Sequence, residues 1–361
     1  MARFTKIALL MLVLLAVFGR VTAPMAGAGE TTPALTSIGP LTFAPDGTLY
    51  AADTNAATIY ALDLGSNASG AAAGTANVPG LDQKIAAMLG TGVADVRIAD
   101  LAIHPKSHNA FLSVMRGQGP NAKPVLLRVD GAGKIDLVAN ESLKATSVTL
   151  PNPTATTGRN GRETITKMAF TNGRLWVAGL SNEEFASKLW SVAYPFTKAD
   201  AGTSVEIYHG NHAQFETRSP VYTFVPYKVK GETNLIAGYL CTPLVKFPVS
   251  SLKSGSKVLG TTIAELGNRN RPLDMIVYQK NGQEFLLMSN NSRGVMKIPT
   301  ANFADASAIT KPVTTEKGGI GYESITSMKG VEQLDLLDAN NTIILARTDA
   351  GVLNLDVVAL P

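Results

Sequence analysis

From residue 36 onward, short apolar runs alternate with clusters of Gly, Asn, Asp and Pro, and the hydrophobic period is two rather than 3.6. Residues 40–64, PLTFAPDGTLYAADTNAATIYALDL, hold three such runs separated by polar turns. The same strand, turn, strand, strand signature returns at residues 100–117 (continued at 124–130), 165–194, 220–249, 272–299 and 324–357. Val, Ile, Leu, Phe and Tyr fill the runs, and Pro-Asp-Gly, Thr-Asn-Gly and Lys-Asn-Gly mark the turns, which is hairpin chemistry. A spacing of roughly 50–60 residues matches one four-stranded propeller blade. The pattern predicts an all-β, six-bladed β-propeller with blades near residues 36–65, 97–140, 162–208, 217–258, 269–303 and 320–361, within a single domain spanning residues 29–361. A seven-bladed ring is the alternative; a β-sandwich does not repeat a three-strand signature six times. One helix is expected, LDQKIAAML at residues 81–89.

The first 28 residues follow a different rule. Arg3 and Lys6 precede the apolar run IALLMLVLLAVF, and Ala26-Gly27-Ala28 forms a small-residue exit, the three parts of a cleavable export signal. This predicts a secreted or periplasmic protein with no membrane span after cleavage. It also changes the charge. The chain has 32 basic and 28 acidic side chains, a net of +4, but three of the basic ones lie in residues 1–28, which hold no acid. The remainder is nearly neutral and lacks any Lys/Arg run, so a nucleic-acid partner is not expected. One cysteine, Cys241, excludes an intrachain disulfide framework.

The segment PDGTLYAADTNAATIYALD resembles blades of the NHL-repeat, gluconolactonase-like and strictosidine-synthase-like six-bladed propellers, and IHPKSHNAFLSV resembles their strand-turn-strand unit. The resemblance lies at the level of architecture. It implies a group that includes metal-dependent lactonases, lyases and non-catalytic binding platforms. It also implies that calcium or another divalent metal could sit at the channel mouth on oxygens from different blades. Glu163, Glu216, Asn270, Asp274, Asn291 and Glu323 are of the right type for that.

In a propeller, loops leading into each innermost strand emerge on one face, together with loops joining the second and third strands. We call this the top face. Arg97, Asp100, Glu163, Arg218, Arg271, Asp274 and Glu323 are expected at such loops, joined by Asn291 and Arg293, in a chain that is only 17% charged. A converging set of this kind suits a small polar ligand. His209 and His212 lie in YHGNHAQFE with Glu216 four residues on, a candidate two-histidine, one-carboxylate metal set or a source of a general base. His104 and His108 belong to a turn on the opposite face, where a structural role is expected.

Two functions remain open on sequence grounds. The first is a monomeric, non-catalytic propeller that binds a small polar molecule, a metal ion or a protein partner. The second is a metal-dependent hydrolase or lyase. In that second case His209, His212, Glu163 and Asp274 would carry the chemistry. Arg97, Asp100, Arg218, Arg271, Arg293 and Asn291 would bind the substrate, and Glu216, Asn270 and Glu323 would hold the ion. The segment ATSVTLPNPTATTGRNG, residues 145–161, is expected as a lid over the mouth.

Overall fold

The computed structural model describes residues 30–69, 72–155, 163–241 and 243–361. The export signal therefore lies outside the described residues. Among those residues the chain forms six sheets, antiparallel except where Lys257–Leu259 joins Thr203–His209 in parallel, arranged as the blades of a propeller. Blade 2 is typical, with strands Val96–Ile103, Ala110–Arg116, Lys123–Val129 and Ile135–Val138 running outward from the centre. The Asn-Gly signals do what their chemistry requires. Asn172–Gly173 and Asn281–Gly282 both have positive φ at both positions, as does Lys230–Gly231, and each closes the inner hairpin of blades 3, 5 and 4 respectively. Two successive left-handed residues match the right-handed twist of the flanking strands. The helix occupies Leu81–Leu89.

Packing fixes the ring. Six buried apolar clusters each join two blades, for instance Tyr50 of blade 1 with Trp190 of blade 3, or Trp176 of blade 3 with Phe247 of blade 4. At about 1.5–3 kcal/mol per fully buried large side chain, these faces dominate stability.

The blades do not follow one another in chain order. Inner strands pack in the circular order 2-1-3-4-5-6, so blade 2 lies between blades 1 and 6. Leaving blade 1, the chain passes over blade 6, where Val78 bridges Leu355 and the helix packs on Leu353–Ala359. It then enters blade 2 and returns to blade 1. The segment expected as a lid begins with this return: Lys144–Thr149 pairs with Thr58–Asp63 as the outermost strand of blade 1. Apolar Ala145 and Val148 are both buried, on opposite faces of the strand, Ala145 against blade 2 and Val148 against blade 3, which fits an edge strand rather than an overhanging loop. Residues 156–162 of that segment lie outside the described residues.

A second exchange joins blades 4 and 5. After Gly294–Pro299 the chain crosses to blade 4, adds Gly318–Gly319 beside Thr261–Glu265, and comes back as Glu323–Ile325, the outermost strand of blade 5. Among the described residues no helix is long and apolar enough to cross a membrane.

Candidate functional site

Two polar clusters stand out, one in the central channel and one at the rim.

In the channel, Lys167 of blade 3 places Nζ 2.7 Å from Asp274 Oδ1 of blade 5 and 3.5 Å from Asp100 Oδ1 of blade 2. Both carboxylates are buried. A β-bulge just before each aspartate aims it inward, at Ile98/Asp100 and Pro272/Asp274. Their remaining acceptors go to backbone. Asp100 accepts the Leu41 N–H at 2.8 Å, Asp274 the Leu334 N–H at 3.3 Å, and Asp335 the Ile103 N–H at 2.8 Å. Each bond crosses to the next inner strand, so the acids latch blades 5, 6, 2 and 1 together. Burial pushes Asp100 up to about 6, with Lys167 opposing and Asp274 adding to the shift. Burial likewise takes Asp335 to about 7. Burial works against the charge on Lys167, but the Asp100 and Asp274 carboxylates outweigh it and hold its pKa above the ordinary lysine value. At the segments entering the inner strands of blades 3, 4 and 5, Tyr222 donates to Glu163 at 2.9 Å, and the Arg271 guanidinium lies 5.6 Å from the Tyr222 ring centroid.

The other expected mouth residues separate. Glu323 is not at the channel: it sits on the outermost strand of blade 5, because the chain doubles back there before blade 6 begins at Val331. Asn270 is buried with both ends of its amide bonded, to Gly267 O and Asn268 O by its nitrogen and to Asn290 by its oxygen, which shapes a turn. Asn291 caps the Arg271 N–H at 2.7 Å. Arg293 pairs with Glu316 and donates to Asn268 O. Arg97 and Arg218 are exposed, and Arg97 lines a cleft of about 200 Å³ with Asp82, Glu332 and Arg347. Cys241 is half-buried in a left-handed turn, its sulfur accepting the Arg269 N–H at 3.3 Å. His104 is buried in its turn and accepts the Ser107 N–H.

His209, His212 and Glu216 do come together, at the outer edge of blade 3. Thr203–His209 ends blade 3, a tight turn follows, and Gln214–Glu216 folds back beside it. In that turn the His212 N–H reaches His209 O and the Ala213 N–H reaches Gly210 O, a helical-type turn that sets positions i and i+3 side by side. The two imidazole centroids lie 3.7 Å apart. His209 Nδ1 is 3.0 Å and His212 Nδ1 2.7 Å from the same oxygen of Glu216. Burial opposes ionisation of Glu216, but the hydrogen bonds from His209 and His212 outweigh it and hold the carboxyl down to about 2. Donor atoms of the three residues lie within 4.8 Å of one another, a spacing that one metal ion can bridge.

Sequence reasoning missed Glu265. It ends Thr261–Glu265 of blade 4, is fully buried, and reaches across to the histidine turn, accepting the Gly210 N–H at 2.6 Å. Burial raises its pKa, with His209 opposing. Its signal was an acid closing the apolar strand TTIAE, just as Asp335 interrupts VEQLDL.

No family model and no curated protein matches the sequence. Several solved structures align with the chain at low similarity. A putative glucose dehydrogenase-type oxidoreductase from Thermus thermophilus aligns over 91% of this chain and 98% of its own at 10% identity and a TM-score of 0.35. A putative gluconolactonase aligns over 93% of both chains at 8% identity and a TM-score of 0.29. An engineered GH43 glycoside hydrolase with endo-xylanase and exo-arabinofuranosidase activity aligns over 70% of this chain at 9% identity and a TM-score of 0.36, and the chain spans only 48% of that protein's length. Such scores carry nothing about substrate or chemistry. The strand pairing itself establishes that the chain is a six-bladed β-propeller.

Proposed function

We propose that the protein is an exported propeller that binds a divalent transition-metal ion at the cluster of His209, His212 and Glu216, in a binding rather than a catalytic role. The observation that carries this is the stacked histidine pair sharing one ionised carboxylate, with all three donor sets within 4.8 Å. Two nitrogens and an oxygen suit zinc and its late first-row neighbours rather than calcium, which prefers six or more oxygens. The channel charges favour a structural role, since Lys167, Asp100 and Asp274 bond one another and the neighbouring backbone. The three-part N-terminus supports export.

A second reading, metal-assisted hydrolysis of a small polar substrate, has one observation in its favour. His212 is 41% exposed at the side chain, and an open cavity of about 640 Å³ lined by Gly210, Asn211, Asn268 and residues 312–316 adjoins its turn. Elemental analysis of the purified protein tests the first reading, which expects one zinc-class ion per chain, lost in His212→Ala. A protein that takes up no such ion from excess metal refutes it. Turnover of lactone or ester substrates in proportion to metal content would establish the second.

A further inference from the structure

The histidine cluster has two sides. On one, both Nδ1 atoms face Glu216. On the other, His209 Nε2 faces Glu265 Oε2 at 3.7 Å. His209 and Glu265 are both fully buried, and neither of these two atoms has a hydrogen-bond partner among the described residues. This pairing needs a physical account, because an unsatisfied buried polar group costs roughly 1–3 kcal/mol.

Protonation does not supply one. An ionised Glu216 only accepts, so both imidazoles must carry Nδ1–H. Neutral His209 then presents a lone pair at Nε2 to a carboxylate oxygen that also offers lone pairs. A proton on either atom would make a donor, but 3.7 Å is too long for a hydrogen bond. Two ligand atoms of one zinc-class ion, each about 2.0–2.2 Å from the metal, stand about 3.3–3.8 Å apart when the angle between them is tetrahedral or somewhat wider. The separation fits an ion and not a proton.

We propose that the ion lies on the buried side of His209, ligated by His209 Nε2 and Glu265 Oε2, and that Glu216 is a positioning residue rather than a ligand. The proposal rests on the metal-binding reading given above and redraws its ligand set. We take the second nitrogen from His212, which stacks on His209 and is partly exposed. Glu216 fixes both rings and both tautomers from behind, the role that a carboxylate hydrogen-bonded to a ligand histidine commonly plays. Glu265 is itself held in place. Its Oε1 takes the Gly210 N–H, which leaves Oε2 free for the metal. The ion would tie the edge of blade 3 to the fourth strand of blade 4. It would also anchor the crossing segment, since Val313 N–H bonds Gly210 O and Asn211 Nδ2 bonds Val313 O and Thr315 O.

The test is zinc titration of the chelator-stripped protein by calorimetry, with thermal melts and cobalt absorption spectra in parallel. Wild type should bind one zinc and melt higher with it. Glu265→Gln should bind zinc at least ~100-fold more weakly and lose the zinc-dependent rise in Tm. Glu216→Gln should keep one-to-one binding and a wild-type cobalt spectrum, weakened about 10–100-fold. The reverse pattern, with Glu216→Gln abolishing binding and Glu265→Gln binding like wild type, overturns the proposal while leaving the metal reading intact. Failure of wild type to bind zinc overturns both. Should Glu265→Gln not fold, Glu265→Asp serves: its shorter arm should weaken zinc binding, and wild-type affinity would refute the assignment.

Discussion

Asp335 in blade 6 accepts the backbone N–H of Ile103 in blade 2 at 2.8 Å, so the last blade of the chain is latched to its second. This carboxylate is part of the closure of the ring. Its loss leaves a buried N–H without an acceptor, which costs about 1–3 kcal/mol. Asp335→Ala should lower the urea midpoint accordingly, with an unchanged far-UV spectrum. A midpoint equal to wild type would remove the latch from the closure.

The same acids set a pH dependence. Asp100 and Asp335 hold their protons up to about 6 and 7 in the fold, whereas the unfolded chain releases them near the ordinary value of 3.8. Between these limits the folded state binds more protons, so stability falls as pH rises from about 4 to about 7 and is flat above. The protein should melt several degrees higher at pH 5 than at pH 8. Asp335→Asn should flatten that profile. A Tm that rises with pH over this window contradicts the assignment.

Lys167 is the cation paired with this group of carboxylates. Replacing it with Met leaves Asp274 and Asp100 buried without their counter-charge, a loss on the order of 3–5 kcal/mol. Because protonation of Asp100, which burial pushes up to about 6, removes part of that charge, the deficit should shrink between pH 8 and pH 5. Equal deficits at both values would show that Lys167 acts through packing alone.

Gly210 has no room for a side chain. A Cβ there would lie 2.7 Å from Val313 Cγ2, 2.9 Å from Ile309 Cγ2 and 3.2 Å from Glu265 Oε1. Gly210→Ala should cost about 1–3 kcal/mol in the absence of metal and reduce zinc affinity by displacing Glu265. Calorimetry and chemical denaturation on the same sample separate the two effects.

The hairpins were legible because their determinants are local. Asn172–Gly173 and Asn281–Gly282 announce left-handed turns, and the apolar alternation on either side supplies two strands and their faces. The helix at Leu81–Leu89 was equally local. Partners for edge strands were not legible. Lys144–Thr149 looks like any short amphipathic stretch, and only the packed ring decides that it completes blade 1. Glu323 was misplaced for the same reason, since the sequence does not announce that the chain turns back before blade 6. His209, His212 and Glu216 were readable as a constellation through their spacing. Glu265 lies some fifty residues away on another blade, and no spacing rule reaches it. Asn270 is of ligand type by composition, and the sequence does not show that the fold bonds both ends of its amide.

The circular order 2-1-3-4-5-6 has a consequence for how the molecule comes to exist. Blade 1 gains its outer strand only after all of blade 2 has been made, so the first self-sufficient piece is a pair of blades ending near residue 149, not a single repeat. Its last contacts are those between residues 331–359 and residues 96–129, among the most distant in the chain. A chain emerging from its N-terminal end thus offers an exposed face of blade 2 until the final thirty or so residues arrive, and non-local closure of this kind is slow. Truncation from the C-terminal end would not shorten this protein by one repeat; it would leave an open arc with two bare apolar flanks.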